Sequence, residues 1–107
     1  MNQQEPAGRT IDLRAVTTRD RLMDALRAGL EFPSWTGRNW DAVHDTITGI
    51  VEMPRRLTLL GWTRVAEALP RDARILREIL DDFARGENAA GRPMTVEYRD
   101  EVTDRRD

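Results

Sequence analysis

The sequence contains no cysteine and no lysine, and it has one serine, one histidine and one tyrosine. Each scarcity removes a class of chemistry. Without cysteine there are no disulfides and no thiolate chemistry, which suits a reducing compartment. Lysine catalysis is excluded outright, and no glycine-rich phosphate loop occurs. Ser34, the only serine, sits in a Pro-Ser-Trp turn without a nucleophile-elbow pattern, so no serine triad is expected. There is no run of about 18 apolar residues and no charged-then-apolar leader. The chain is therefore expected to be neither membrane-spanning nor secreted, and to work in the cytoplasm. A net charge of −2 and a pI near 5.5 give no basic excess for direct nucleic-acid binding.

What remains is a chain of 107 residues, enough for one domain with a single modest core. Internal repeats and low-complexity tracts are absent. Residues 1–8 are polar, with Pro6 and Gly8, and read as a flexible leader. Residues 10–16 (TIDLRAV) alternate apolar and polar and suit a short strand. Thr17 or Thr18 then caps a helix to about Leu30, with Leu22, Met23, Leu26 and Leu30 as its buried stripe. After the central stretch, Leu57–Leu60 reads as a mostly buried strand. A short helix follows from Gly61-Trp62 to Leu69, and Pro70 breaks it. Residues 71–85 form a fourth helix that buries Ile75, Leu76, Ile79, Leu80 and Phe83 and shows Arg77, Glu78, Asp81 and Asp82 on its other side. Residues 86–92 form a loop, 93–99 a last strand, and 100–107 a charged, disordered tail. Three strands separated by helices predict an α/β fold with a small parallel sheet.

The most unusual stretch is residues 32–52, FPSWTGRNWDAVHDTITGIVE. All 17 cationic residues are arginines, yet none lies between Arg38 and Arg55. Asp41, Asp45 and Glu52 fall in that gap without a local counter-charge. The stretch opens as a loop, with Pro33, Ser34 and Gly37 as turn residues around Trp35. Asn39 is placed to cap a helix that runs to Gly49. At about 100° per residue, Trp40, Val43, Ile47 and Ile50 line one face of that helix. Asp41, His44, Asp45 and Thr48 share a second face, about 120° round from the first. A solvated helix surface accounts for such a stripe, since aspartate near a helix N-terminus is favoured by the dipole. A second option is chemical. Aspartate and histidine at i and i+3 can share a metal, and paired carboxylates can do acid–base work, so Asp41, His44 and Asp45 are the candidates for a metal-dependent enzyme.

At these residues the sequence resembles the barstar family, intracellular inhibitors of barnase-type ribonucleases. The matching elements are Phe32-Pro33, Gly37, Asn39, Asp41-Ala42, Asp45, Thr48-Gly49, Val51-Glu52 and Pro54, and the likeness extends from about Thr10 to Tyr98. It implies a barstar-like domain over residues 9–99: a three-stranded parallel sheet with about four helices, in a single layer around it. It also implies a ribonuclease inhibitor, not an enzyme, that needs no cofactor or metal and is a monomer when free. Such an inhibitor forms a 1:1 complex with a barnase-like, extracellular, guanyl-specific ribonuclease. Asp45 matches the family's aspartate that takes the place of an RNA phosphate in the enzyme's cationic pocket. Asp41 matches a second contributor, and Glu52 adds to the local field. Trp35, Thr36, Gly37, Asn39, His44, Thr48 and Gly49 complete the implied contact surface. Asp81 aligns with a peripheral family glutamate, and Asp82 or Glu78 takes that place if the alignment shifts. Thr36, His44 and Ile50 stand where the family has aromatic residues, so the implied partner is a related ribonuclease other than barnase. Another toxin or a regulatory protein is the alternative partner.

Overall fold

A computed structural model describes residues 8–86 and 94–100. The element order is β1 (Gly8–Asp12), α1 (Arg19–Gly29), α2 (Trp40–Gly49), β2 (Arg56–Leu60), α3 (Trp62–Ala68), α4 (Pro70–Ala84) and β3 (Thr95–Arg99). The three strands form one parallel sheet in the order β1-β2-β3. This is the α/β fold, with four helices and a three-stranded parallel sheet, that the sequence pattern predicts.

Register decides which side chains meet. Ile11 pairs with Leu59 and Leu59 with Tyr98, while Leu57 pairs with Val96, so these five share a face. Strand side chains alternate, so Thr10, Thr58 and Glu97 point the other way. The helices cover the apolar face, where Ile11, Leu57 and Leu59 join one core with Leu22, Leu26, Val43, Ile47, Leu76 and Leu80. Parallel sheets usually have both faces covered. Among the described residues the second face carries mainly polar groups: Glu97 pairs with Arg99 at 3.0 Å and Arg56 at 3.7 Å.

The first strand starts and stops earlier than its hydrophobic alternation suggests. The reason is the turn that follows it. The Asp12 carboxylate accepts hydrogen bonds from the Arg14 amide and guanidinium, which bends the chain out of the ladder. Those bonds from Arg14 also lower the Asp12 pKa to about 2. Leu13 and Val16 still reach the core, but from that turn. Gly61 makes room for it. Its φ of 85° is in the left-handed region, and a Cβ there would lie 2.9 Å from the Arg14 backbone. Gly29 answers a similar demand, since its Cβ would meet Ile11 at 2.7 Å where α1 crosses β1. Its place in the last turn of α1 follows from that packing.

α3 ends just before Pro70, as expected, and Pro70 also starts the next helix: it occupies the first turn of α4, where its missing N–H goes unneeded. Asp100, assigned to a tail, belongs to the folded part, because its carboxylate accepts the Thr63 amide in the first turn of α3. Gly8, assigned to the leader, is the first residue of β1. Residues 1–7, 87–93 and 101–107, and with them the rest of the expected leader, loop and tail, lie outside the described residues. Tyr98 packs against Trp62 with ring centroids 4.7 Å apart and lies under the Arg77 guanidinium. Its hydroxyl donates to Asp81 at 2.8 Å. Burial, and then that bond, raise its pKa well above the ordinary tyrosine range.

Candidate functional site

The central stretch is built from three local decisions. The first is the exit from α1. Glu31 adopts φ 57° and Phe32 turns into the core, so the chain doubles back with the Phe32 amide on the Arg27 carbonyl. The second is the loop. The Thr36 amide bonds to the Pro33 carbonyl at 3.0 Å, and the side chains then alternate. Trp35 stands 71% exposed, whereas Thr36 is buried and its hydroxyl has no partner among the described residues. The third is the cap: Asn39 Oδ1 accepts the Ala42 amide at 2.8 Å and starts α2 as the sequence predicts.

Once α2 is started, its period separates the two faces. Val43 and Ile47 are buried, and Thr46 joins them by donating its hydroxyl to the Ala42 carbonyl at 2.7 Å. Sequence reasoning missed Thr46, because threonine carries no apolar signal; its i−4 bond is what makes it acceptable inside. Trp40 is half-buried, its indole N–H held by Asp72 at 2.9 Å, which ties the start of α2 to the start of α4. Ile50 departs from expectation. It is 48% exposed, because the helix ends at Gly49 and the amides of both Ile50 and Val51 turn back to the Thr46 carbonyl. The helical period stops there, and Val51 takes the inward place.

The outward stripe holds Asp41, His44 and Asp45, all exposed, with Thr48 half-buried. Thr48 donates its hydroxyl to the His44 carbonyl at 2.8 Å, and Gly49 leaves open space beside it. Asp45 has 78% of its side chain exposed, and its one side-chain partner among the described residues is His44 Nδ1 at 3.4 Å. The charge gap in the sequence survives folding. Arg38, at its edge, is drawn away to Asp24 at 2.7 Å. Asp24, Asp72, Asp81, Asp82 and Glu97 each pair with an arginine, but no described arginine pairs with Asp41, Asp45 or Glu52. Among the described residues no three histidine, aspartate or glutamate side chains converge to hold a metal, so Asp41, His44 and Asp45 share a face without forming a cage.

Two further features were not legible beforehand. A cleft of about 420 Å³ adjoins the end of the stripe, with Ile47, Val51, Phe83 and Met94 on its walls and Thr48 and Glu52 on its rim. The acids of α4 also divide. Asp81 is engaged by Tyr98 and Arg77, on the flank toward β3. Asp82 lies about 100° round the helix from it and pairs with Arg85, one turn on.

Over residues 7–99 the chain matches the family described as Barstar (barnase inhibitor). It is also similar to a Bacillus subtilis protein named "Putative ribonuclease inhibitor YrdF", with 43% identity over 52 residues. That stretch is 49% of this chain and 57% of the relative, so the match spans little more than half of the relative's length. No described helix is long and apolar enough to cross a membrane.

Proposed function

The chain belongs to the barstar family, and from that membership we propose that it inhibits a secreted, barnase-like, guanyl-specific ribonuclease by covering its active site in a 1:1 complex in the cytoplasm. The observation that carries this reading is Asp45: a carboxylate on a helix, 78% exposed, with no described arginine to neutralise it. A ribonuclease holds an RNA phosphate with arginine, lysine and histidine. A carboxylate offered at a fixed height can take the same charge-assisted hydrogen bonds, so substrate and inhibitor compete for one pocket. Asp41, one turn earlier, adds a second acceptor, and Glu52 extends the field.

The surroundings support recognition. Trp35 offers an exposed indole in the loop that leads into α2, the kind of rigid aromatic that anchors interfaces. Gly49 lets a partner approach the end of α2 closely. Asn39 serves the surface indirectly, by capping α2 and fixing where Asp41 and Asp45 stand. Thr36 contributes backbone only, since its side chain is turned inward. The peripheral acid is better assigned to Asp82 than to Asp81, which Tyr98 already holds. His44 and Ile50, where the family has aromatics, reshape the surface toward a ribonuclease other than barnase.

The test is a titration of purified protein against secreted guanyl-specific ribonucleases, including any encoded by the same organism. RNA cleavage is expected to fall linearly to zero at one equivalent, and a guanosine phosphate analogue to compete with complex formation. A folded protein that leaves every such enzyme active would overturn the reading.

A further inference from the structure

Among the described residues, one side chain outside the implied contact surface bonds to its loop on both sides of Trp35. Arg27 lies in the last turn of α1, half-buried beneath the 33–37 loop. Its guanidinium forks. Nη1 donates to the Thr36 carbonyl at 2.5 Å and Nη2 to the Ser34 carbonyl at 3.3 Å. Its own carbonyl accepts the Phe32 amide at 2.9 Å. One residue therefore grips the chain on both sides of Trp35.

Little else does so. Within the loop the Thr36 amide bonds to the Pro33 carbonyl, but the Thr36 hydroxyl is buried without a partner. Among the described residues, the hydrogen bonds reaching Ser34 and Thr36 from another element all come from Arg27. We propose that Arg27 is a positioning residue: it pre-sets the loop so that Trp35 stands outward, just ahead of α2, before a partner arrives. The part played by the partner rests on the inhibitor reading above; the hold on the loop does not.

Geometry, rather than charge, is what the role requires. Two carbonyls two residues apart need two donors in a fixed plane, which a guanidinium supplies. A lysine ammonium keeps the charge and has three donors, but all three radiate from one nitrogen, whereas the guanidinium reaches the two carbonyls from two separate nitrogens held in one plane. Without the fork the loop samples other conformations, and binding must then order it, which weakens the complex.

The experiment uses Arg27→Lys and Arg27→Gln, each checked by thermal melting, in the presence and absence of Trp35→Ala. In the free protein, amide exchange at 34–37 and 15N relaxation of the Trp35 indole report loop order. Both variants are expected to loosen these groups while α2 stays protected. Against a ribonuclease that the wild type inhibits, both are expected to bind about tenfold more weakly, equivalent to about 1.4 kcal/mol. That loss should shrink to less than about threefold once Trp35 is alanine, because positioning a side chain matters only while it is there. An Arg27→Lys protein whose loop stays as ordered as the wild type's would overturn the proposal. So would a loss of the same size with and without Trp35. A wild type that inhibits no ribonuclease defeats the inhibitor reading instead, and the free-protein measurements then decide whether Arg27 holds the loop.

Discussion

Replacing Asp45 by alanine removes a carboxylate that, in the free protein, supports almost nothing. It has 78% of its side chain exposed, and its one side-chain partner among the described residues is His44 at 3.4 Å. Exposed pairs of this kind contribute about 0–1 kcal/mol, and surface substitutions generally stay within about 0.5 kcal/mol. The melting curve should therefore barely move. In a complex the same carboxylate is desolvated among the enzyme's cationic groups. Truncating one partner of such a pair costs about 2–5 kcal/mol, because the opposing charges are left buried and unpaired. The barnase–barstar complex itself contributes to that range, so it is carried over from the family rather than worked out from this chain. At about 1.4 kcal/mol per decade the inhibition constant should rise by roughly two to four orders of magnitude. The assay is inhibition titrated at several enzyme concentrations, with circular dichroism to confirm the fold. Asp41→Ala should cost less, since Asp41 also interacts favourably with the first turn of α2. His44→Ala should cost least. A folded Asp45→Ala protein that inhibits like the wild type would refute the phosphate-mimic mechanism, and equal losses at Asp41, His44 and Asp45 would point to a metal site instead.

The acids near α2 that no described arginine pairs with also predict kinetics. Association with the ribonuclease should slow markedly from low to high salt while dissociation changes little, since steering is screened over about 8–10 Å at physiological ionic strength; a salt-independent association rate would count against a basic partner. Tyr98 is the only tyrosine, and its raised pKa favours the protonated form in the folded state. The stability it contributes is intact below about pH 10 and declines as the pH rises further. Tyrosinate absorbance should accordingly appear together with alkaline unfolding; a separate titration near pH 10 in the folded protein would contradict the Asp81 contact. Asp12 has its pKa lowered to about 2, so its contribution is complete above about pH 4 and is lost as the pH falls toward about 2. Acid unfolding of Asp12→Asn should show a shallower pH dependence in that window, and an unchanged slope would deny the Arg14 contact. Gly61→Ala should destabilise by more than about 1 kcal/mol in denaturant melts, from left-handed strain and a Cβ 2.9 Å from the Arg14 backbone; a neutral result would mean that the Arg14 turn moves aside.

The sequence by itself determined the α/β class, the order and type of all seven elements, and the two faces of α2. Those follow from local rules: apolar spacing sets the period, Asn39 sets the start, and charge placement sets which side meets water. It also displayed the arginine gap, which needs no coordinates to see. What it could not determine were choices made by residues far apart in the chain. The end of β1 depends on a turn that Gly61 accommodates from across the sheet. Asp81 is withdrawn by Tyr98, 17 residues away, and Arg38 by Asp24. Ile50 left the apolar face because the helix stopped one residue before the period would have buried it. Arg27, an ordinary helix cation in the sequence, became a clamp only because the chain doubled back over it and placed two carbonyls within reach of one guanidinium. Local period is written residue by residue; which polar groups remain for a partner is settled only when folding has assigned partners to all the others.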